Sequence, residues 1–156
     1  MIRDIGWKNG TWQKTDDIKI SIKDRGLRFG DALFETILIK NRKPVLLDEH
    51  LQRFQNNLKL LEFNNAIDNL LLQKIILNGI NKLNIRKEEY GSIRINYSRG
   101  INITRSINID SVDSNFNPDN LWIEFYIIDL DFKPITVYIS KEEKRNEHSR
   151  LSSCKT

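Results

Sequence analysis

Asp24-Arg25-Gly26-Leu27-Arg28-Phe29-Gly30-Asp31-Ala32-Leu33-Phe34-Glu35-Thr36-Ile37-Leu38-Ile39-Lys40 is the stretch on which the reading of the chain turns. Asp24-Arg25-Gly26 supplies turn chemistry, and the segment Leu27 to Asp31 follows it. From Ala32 to Lys40 the stretch becomes an apolar run rich in β-branched residues, which reads as a strand. Asn41-Arg42-Lys43-Pro44 then turns the chain into a further short strand, Val45 to Leu47. Upstream, Ile18-Lys19-Ile20-Ser21-Ile22-Lys23 alternates with period two and predicts a half-buried strand that ends at Asp24.

Downstream the period changes. Asp48 stands where a helix cap belongs, and Leu51, Phe54, Leu58 and Leu61 recur at helical spacing as far as Glu62. A second helix is predicted from Asp68 to Leu83, with Leu72, Ile75, Ile76, Gly79, Ile80 and Leu83 on one face. Ser92 to Ser98 alternates again, and Leu121 to Ile128 is a nearly continuous apolar run of the kind a buried strand shows. The polar segment from Arg99 to Asn120 between them reads as a long loop. Residues 129–134 read as a linker, Ile135 to Ile139 as a strand, and Ser140 to Ser153 as a polar stretch leading into Cys154-Lys155-Thr156. The fold expected is α/β of the α+β type, a mostly antiparallel sheet covered by two helices.

Composition narrows the function classes. The 156 residues include 39% hydrophobic and 29% charged, enough apolar material for a core and no disordered bias. The net charge of +4 comes from 25 basic and 21 acidic residues that are interspersed, which is a solvated mixed surface and argues against a nucleic-acid binder. One Cys and two His are too few for a disulfide framework or the usual zinc cages, so no metal site is expected. No apolar run is long enough to span a bilayer, and the N-terminus lacks a signal-like stretch. The expectation is a cytoplasmic protein without membrane or nucleic-acid partners.

Three motifs then fall in a fixed order: Asp24 to Thr36, Leu47-Asp48-Glu49-His50-Leu51-Gln52-Arg53-Phe54, and Ser98-Arg99-Gly100. In order and spacing they resemble the class-IV aminotransferases, the pyridoxal-phosphate (PLP) enzymes of fold type IV. That family includes branched-chain and D-amino-acid aminotransferases and aminodeoxychorismate lyase. The likeness implies a small N-terminal lobe over 1–128, an interdomain linker over 129–134 and the start of a truncated larger lobe over 135–156. It implies amino-group transfer between an amino acid and a 2-oxo acid. Two alternatives accompany it: the lyase that makes 4-aminobenzoate and pyruvate, or a catalytically incompetent lobe.

By the same resemblance, the Arg of His-x-x-Arg, here Arg53, binds the cofactor phosphate; taken alone, its helix position reads more readily as the polar face of an amphipathic helix. Ser153-Cys154-Lys155-Thr156 matches the segment bearing the Schiff-base lysine, which makes Lys155 the catalytic residue. Phe34 and Thr36 lie on one side of their strand and line the substrate pocket, together with Arg99 and Arg105. Arg105 stands six residues after Arg99, where D-amino-acid enzymes have five. Gly30-Asp31-Ala32 replaces a common Gly-Asp-Gly, a change that matters only if position 32 needs a positive φ. A homodimer is implied. The acidic partner of the pyridine nitrogen and further phosphate-binding amides are expected beyond Thr156.

Overall fold

The computed structural model describes residues 4–63, 67–101 and 120–141. A hairpin opens the chain: β1 (Asp4–Lys8) and β2 (Thr11–Gln13) pair Lys8 with Thr11 across Asn9-Gly10. Both turn residues have positive φ, 42° and 99°, as a two-residue hairpin turn requires. A one-turn 3-10 helix (Thr15–Asp17) and a short helix α1 (Arg25–Phe29) lead to β3 (Ala32–Lys40) and the two-residue β4 (Lys43–Pro44). Helices α2 (Leu47–Leu60) and α3 (Asn69–Leu83) follow, then β5 (Tyr90–Ser98) and β6 (Asn120–Ile128).

All six strands form one antiparallel sheet in the order β2-β1-β6-β5-β3-β4. Alternation sends Leu33, Ile37 and Ile39 of β3, Ile93 and Ile95 of β5, and Ile123 and Phe125 of β6 to one face, all buried. α2 packs there against β3, and α3 against β1 and β6. Leu51, Phe54 and Leu58 from α2 and Leu72, Ile76, Ile80 and Leu83 from α3 close the core. At a hydrophobic contribution of about 25 cal/mol per Å², burial of these side chains is the main force holding helices to sheet. Gly79 is required at the tightest point of this packing: a Cβ there would sit 2.2 Å from the Phe125 ring.

The expected architecture is therefore observed, with local corrections. Ile18 to Lys23 is not a strand, and Ile22 is 82% exposed. The β1–β2 hairpin occupies that edge of the sheet, and Ile18 instead fills the space over the bare backbone of Gly6. The strand expected over Val45 to Leu47 stops at Pro44, because Leu46 turns into the left-handed region (φ 53°) and Leu47 already begins α2. Leu46, not Asp48, is the N-cap, with no side-chain cap bond; Asp48 lies in the first turn, where its charge suits the helix dipole, and accepts a hydrogen bond from Gln73 Nε2 at 3.2 Å. Asp68 does cap α3, accepting from the Leu70 amide at 2.9 Å. Ile135 to Ile139 forms no strand; it pairs with neither sheet edge, and Ile135, Val137 and Ile139 are 72% to 93% exposed.

Candidate active site

β3 presents different chemistry on its two faces. On the helix-covered face, Glu35 interrupts the apolar series Leu33, Ile37, Ile39 and is 1% exposed. A buried carboxylate needs partners, and α2 supplies two from one helical turn, His50 and Arg53. Arg53 Nε donates to Glu35 Oε1 at 2.7 Å, and Arg53 Nη2 donates to Oε2, a two-pronged pair. His50 Nδ1 lies 2.8 Å from Oε2; an ionised carboxylate only accepts, so Nδ1 carries the proton. Burial pushes the Glu35 carboxyl up, but the hydrogen bonds and charge of Arg53 and His50 outweigh it and hold its pKa below the usual 4.5. The same bond raises Arg53. The Arg53 side chain is 43% exposed. Nε and Nη2 are committed to Glu35, and Nη2 also lies 3.2 Å from His50 Nδ1, while Nη1 has no hydrogen-bond partner among the described residues and is available to an oxyanion.

The uncovered face carries the other candidates. Phe34, Asn96 and Trp122 stand side by side across three strands, as do Thr36, Arg94 and Glu124. Arg94 lies over the Phe34 ring, 4.0 Å from its centroid, and donates through Nε to Asn96 Oδ1 at 3.0 Å. Asn96 Nδ2 and Trp122 Nε1 each reach Glu124 Oε1 at 3.0 Å, and Tyr126 donates to Oε2. Burial and the neighbouring Glu124 raise the Tyr126 phenol. A recess of about 370 Å³ opens at this end of the face, bounded by Phe34, Ala32, Leu27, Arg94 and Trp122. Phe34 lines it; Thr36 is exposed beyond it.

Arg99 has a different place. It is 5% exposed, with Nε on Asp31 at 3.1 Å and Nη1 and Nη2 on the Glu62 and Leu61 carbonyls at 2.9 and 2.6 Å. Its guanidinium thus ties the stem after β5 to the end of α2, stacked 4.2 Å from the Phe63 ring centroid. Arg25 joins the same Asp31 at 2.6 Å. Asp24 caps α1 through Oδ1, and its Oδ2 accepts from Ser98 Oγ and Asn120 Nδ2, both at 2.7 Å. Both stems of the segment between β5 and β6 are therefore pinned. Position 32 does not have positive φ; Gly30 does, at 69°, so Ala32 is tolerated. Arg105 and Lys155 lie outside the described residues, and so does Cys154.

The fold brings Glu35, His50 and Arg53 into one cluster and Phe34 into another with Arg94, Asn96, Trp122 and Glu124. Sequence reasoning named Arg53 and Phe34 and missed the rest. The available signal was Glu124, a charge in the middle of an otherwise apolar strand, and Glu35, a charge in phase with buried Leu33 and Ile37. Among the described residues no group of His, Cys, Asp and Glu is placed to hold a metal ion, and no helix is long and apolar enough to cross a membrane.

Residues 32–156 match a family model, amino-transferase class IV. The chain belongs to that family. Class-IV relatives include an aminodeoxychorismate lyase from Bacillus subtilis, 31% identical over 93 residues, covering 60% of this chain and 31% of the relative. A D-alanine aminotransferase from Staphylococcus aureus is 30% identical over 95 residues, covering 60% and 32%. The chain spans about a third of the length of these relatives. A fold IV-transaminase from Curtobacterium pusillum superposes with a TM-score of 0.66 at 18% identity, over 81% of this chain and 43% of that one. A hypothetical aminotransferase from Mycobacterium tuberculosis in its PLP-bound form gives 0.63 at 17%, over 78% and 39%. These two likenesses establish the fold: the sheet and two helices are the fold-type IV lobe.

Proposed function

We propose that the protein is a PLP-dependent enzyme that transfers an amino group between an amino acid and a 2-oxo acid. The observation that carries this reading is the hold of buried Glu35 on Nε and Nη2 of Arg53, which leaves Nη1 without a hydrogen-bond partner among the described residues on a side chain that is 43% exposed. A phosphate monoester carries close to two negative charges and pairs with the charged N–H donors of a guanidinium. The donor set thus fits the cofactor's phosphate. When bound, PLP supplies an aldehyde and an electron-accepting ring.

The remaining roles belong to the chain's own side chains. Lys155 is the amine that anchors the cofactor, and its Nζ is the base for the substrate Cα proton. Phe34, its ring held under Arg94, forms an apolar wall of the substrate recess, and Thr36 stands on the same face of the strand beyond that recess. Arg105 is the carboxylate ligand contributed by the segment after β5, and Arg99 serves it by fixing the stem. Residues 1–128 act as the small lobe, 129–134 as linker, and 135–156 as the opening of the second lobe. The family likeness supports a homodimer and a cytoplasmic location.

The test uses the intact protein. Adding PLP is expected to give an absorbance band near about 420 nm, and borohydride treatment followed by peptide mapping to place the modified amine at Lys155. An intact protein that yields no trapped product at residue 155 would overturn the reading.

A further inference from the structure

From the arrangement around Arg53 we infer that Glu35 is a positioning residue that makes the phosphate subsite selective for a tethered phosphate monoester over free inorganic phosphate. The inference rests on the reading of Arg53 as the phosphate ligand and says how that ligand discriminates.

Three observations lead to it. Glu35 is enclosed, at 1% side-chain exposure, while the Arg53 side chain is 43% exposed, so the carboxylate is the fixed partner and the arginine the one within reach of solvent. The pair is two-pronged through Nε and Nη2, which removes the rotation a long half-exposed arginine otherwise keeps. His50 holds the same carboxylate oxygen from the side at 2.8 Å, so Glu35 is itself held from a second direction.

A carboxylate behind an anion-binding arginine has two opposite effects. Its negative charge weakens attraction for any anion that approaches Arg53. Its geometry aims Nη1 along one line. Free phosphate tumbles and follows a mobile arginine, so it feels only the charge penalty. The phosphate of PLP is held at its far end by the rest of the cofactor and cannot follow, so it gains from an arginine that stays in place. The charge penalty falls on both anions and cancels in their ratio, so it is the geometric effect of Glu35 that raises PLP affinity relative to inorganic phosphate affinity.

The test measures binding of PLP, and of inorganic phosphate by competition, in the intact protein and in Arg53→Ala, Glu35→Gln and Glu35→Asp. Glutamine offers one acceptor and sets an amide donor against the guanidinium; aspartate keeps the charge but falls short of the two-pronged reach. The expected result is a fall of about tenfold or more in the PLP-to-phosphate ratio for Glu35→Gln, with phosphate itself bound more tightly. For Glu35→Asp, PLP is expected to weaken while phosphate stays near its original value. A ratio within twofold of the original in a folded Glu35 variant overturns the inference. If Arg53→Ala leaves PLP binding unchanged, the reading of Arg53 as phosphate ligand fails instead. A readout on the unsubstituted protein covers the case in which both Glu35 variants misfold: Arg53 guanidinium protons should give separate NMR signals, with phosphate shifting the Nη1 pair and leaving Nε in place. A shift at Nε that marks release from Glu35 overturns the inference equally.

Discussion

Glu35 on β3 and Arg53 on α2, 18 residues apart in the chain, are joined by Nε donating to Oε1 at 2.7 Å and Nη2 donating to Oε2. The pair fastens the first turns of α2 to the sheet and leaves Nη1 without a hydrogen-bond partner among the described residues.

Removing the arginine tests the recognition. Arg53→Ala should weaken PLP binding about 10- to 100-fold, the range expected for loss of a charge-assisted pair of hydrogen bonds at a partly exposed site. Arg53→Lys should recover only part of this, because an ammonium is a point charge without the fork. Fluorescence titration of PLP checks both.

The carboxylate gives the stability a pH dependence with a definite sign. Glu35 has a folded-state pKa below 4.5, so its ionised form stabilises the fold fully above that value, and the contribution is lost as pH falls through the lower folded value. Urea denaturation of the protein and Glu35→Gln between about pH 7 and pH 3 should show the variant less stable at neutrality by roughly 1–3 kcal/mol. The gap should shrink below pH 4.5. A gap that stays constant to pH 3 contradicts this account.

Gly79→Ala pits propensity against packing. In the middle of α3 alanine is better than glycine by about 1 kcal/mol. The added methyl, however, meets ring atoms of Phe125 at 2.2 to 2.6 Å, and Phe125 is fully buried with nowhere to retreat. Overpacking costs about 1–3 kcal/mol and exceeds the propensity gain. Thermal unfolding should show a lower Tm.

Arg99→Ala should destabilise by about 1–3 kcal/mol, since Asp31 keeps only Arg25 as its partner and the Leu61 and Glu62 carbonyls lose these donors. Chemical denaturation gives the value directly. A loss below 1 kcal/mol would mean that the stem is not held by this residue.

Arg42→Gly should do the reverse. Asn41 and Arg42 form the two-residue turn between β3 and β4 with φ of 52° and 60°, a conformation that costs a side chain about 1 kcal/mol and glycine little. A gain of about 0.5–1 kcal/mol in unfolding free energy is expected.

The first hairpin shows how an available signal is overlooked. Asn9-Gly10 is a strong two-residue turn dipeptide, yet the flanking strands are only five and three residues long, and the longer alternation over Ile18 to Lys23 drew the strand assignment. Period-two patterning states that a segment could pair but does not say which sheet edge is vacant. The site divided along the same line. Arg53 and Phe34 are named by motif and spacing. Arg94 and Glu124 stand in cross-strand register, and register joins residues 30 positions apart, a separation no local period encodes.

What the amino-acid order alone determined are the two long helices, the three long strands β3, β5 and β6, and the faces these elements bury. Leu72, Ile75, Ile76, Gly79, Ile80 and Leu83 were predicted as one face of a helix and are its buried residues, because helical period and the need to bury apolar surface are both local properties. Only the tertiary structure decided which charges meet. Glu35 faces α2 because the pleat turns alternate residues of β3 toward the helices, and Arg99 turns inward because the end of α2 offers it two carbonyls and Asp31 a carboxylate. Such pairings depend on how separate segments pack, where a buried charge must find the partner that the fold, and not the adjacent sequence, brings within reach.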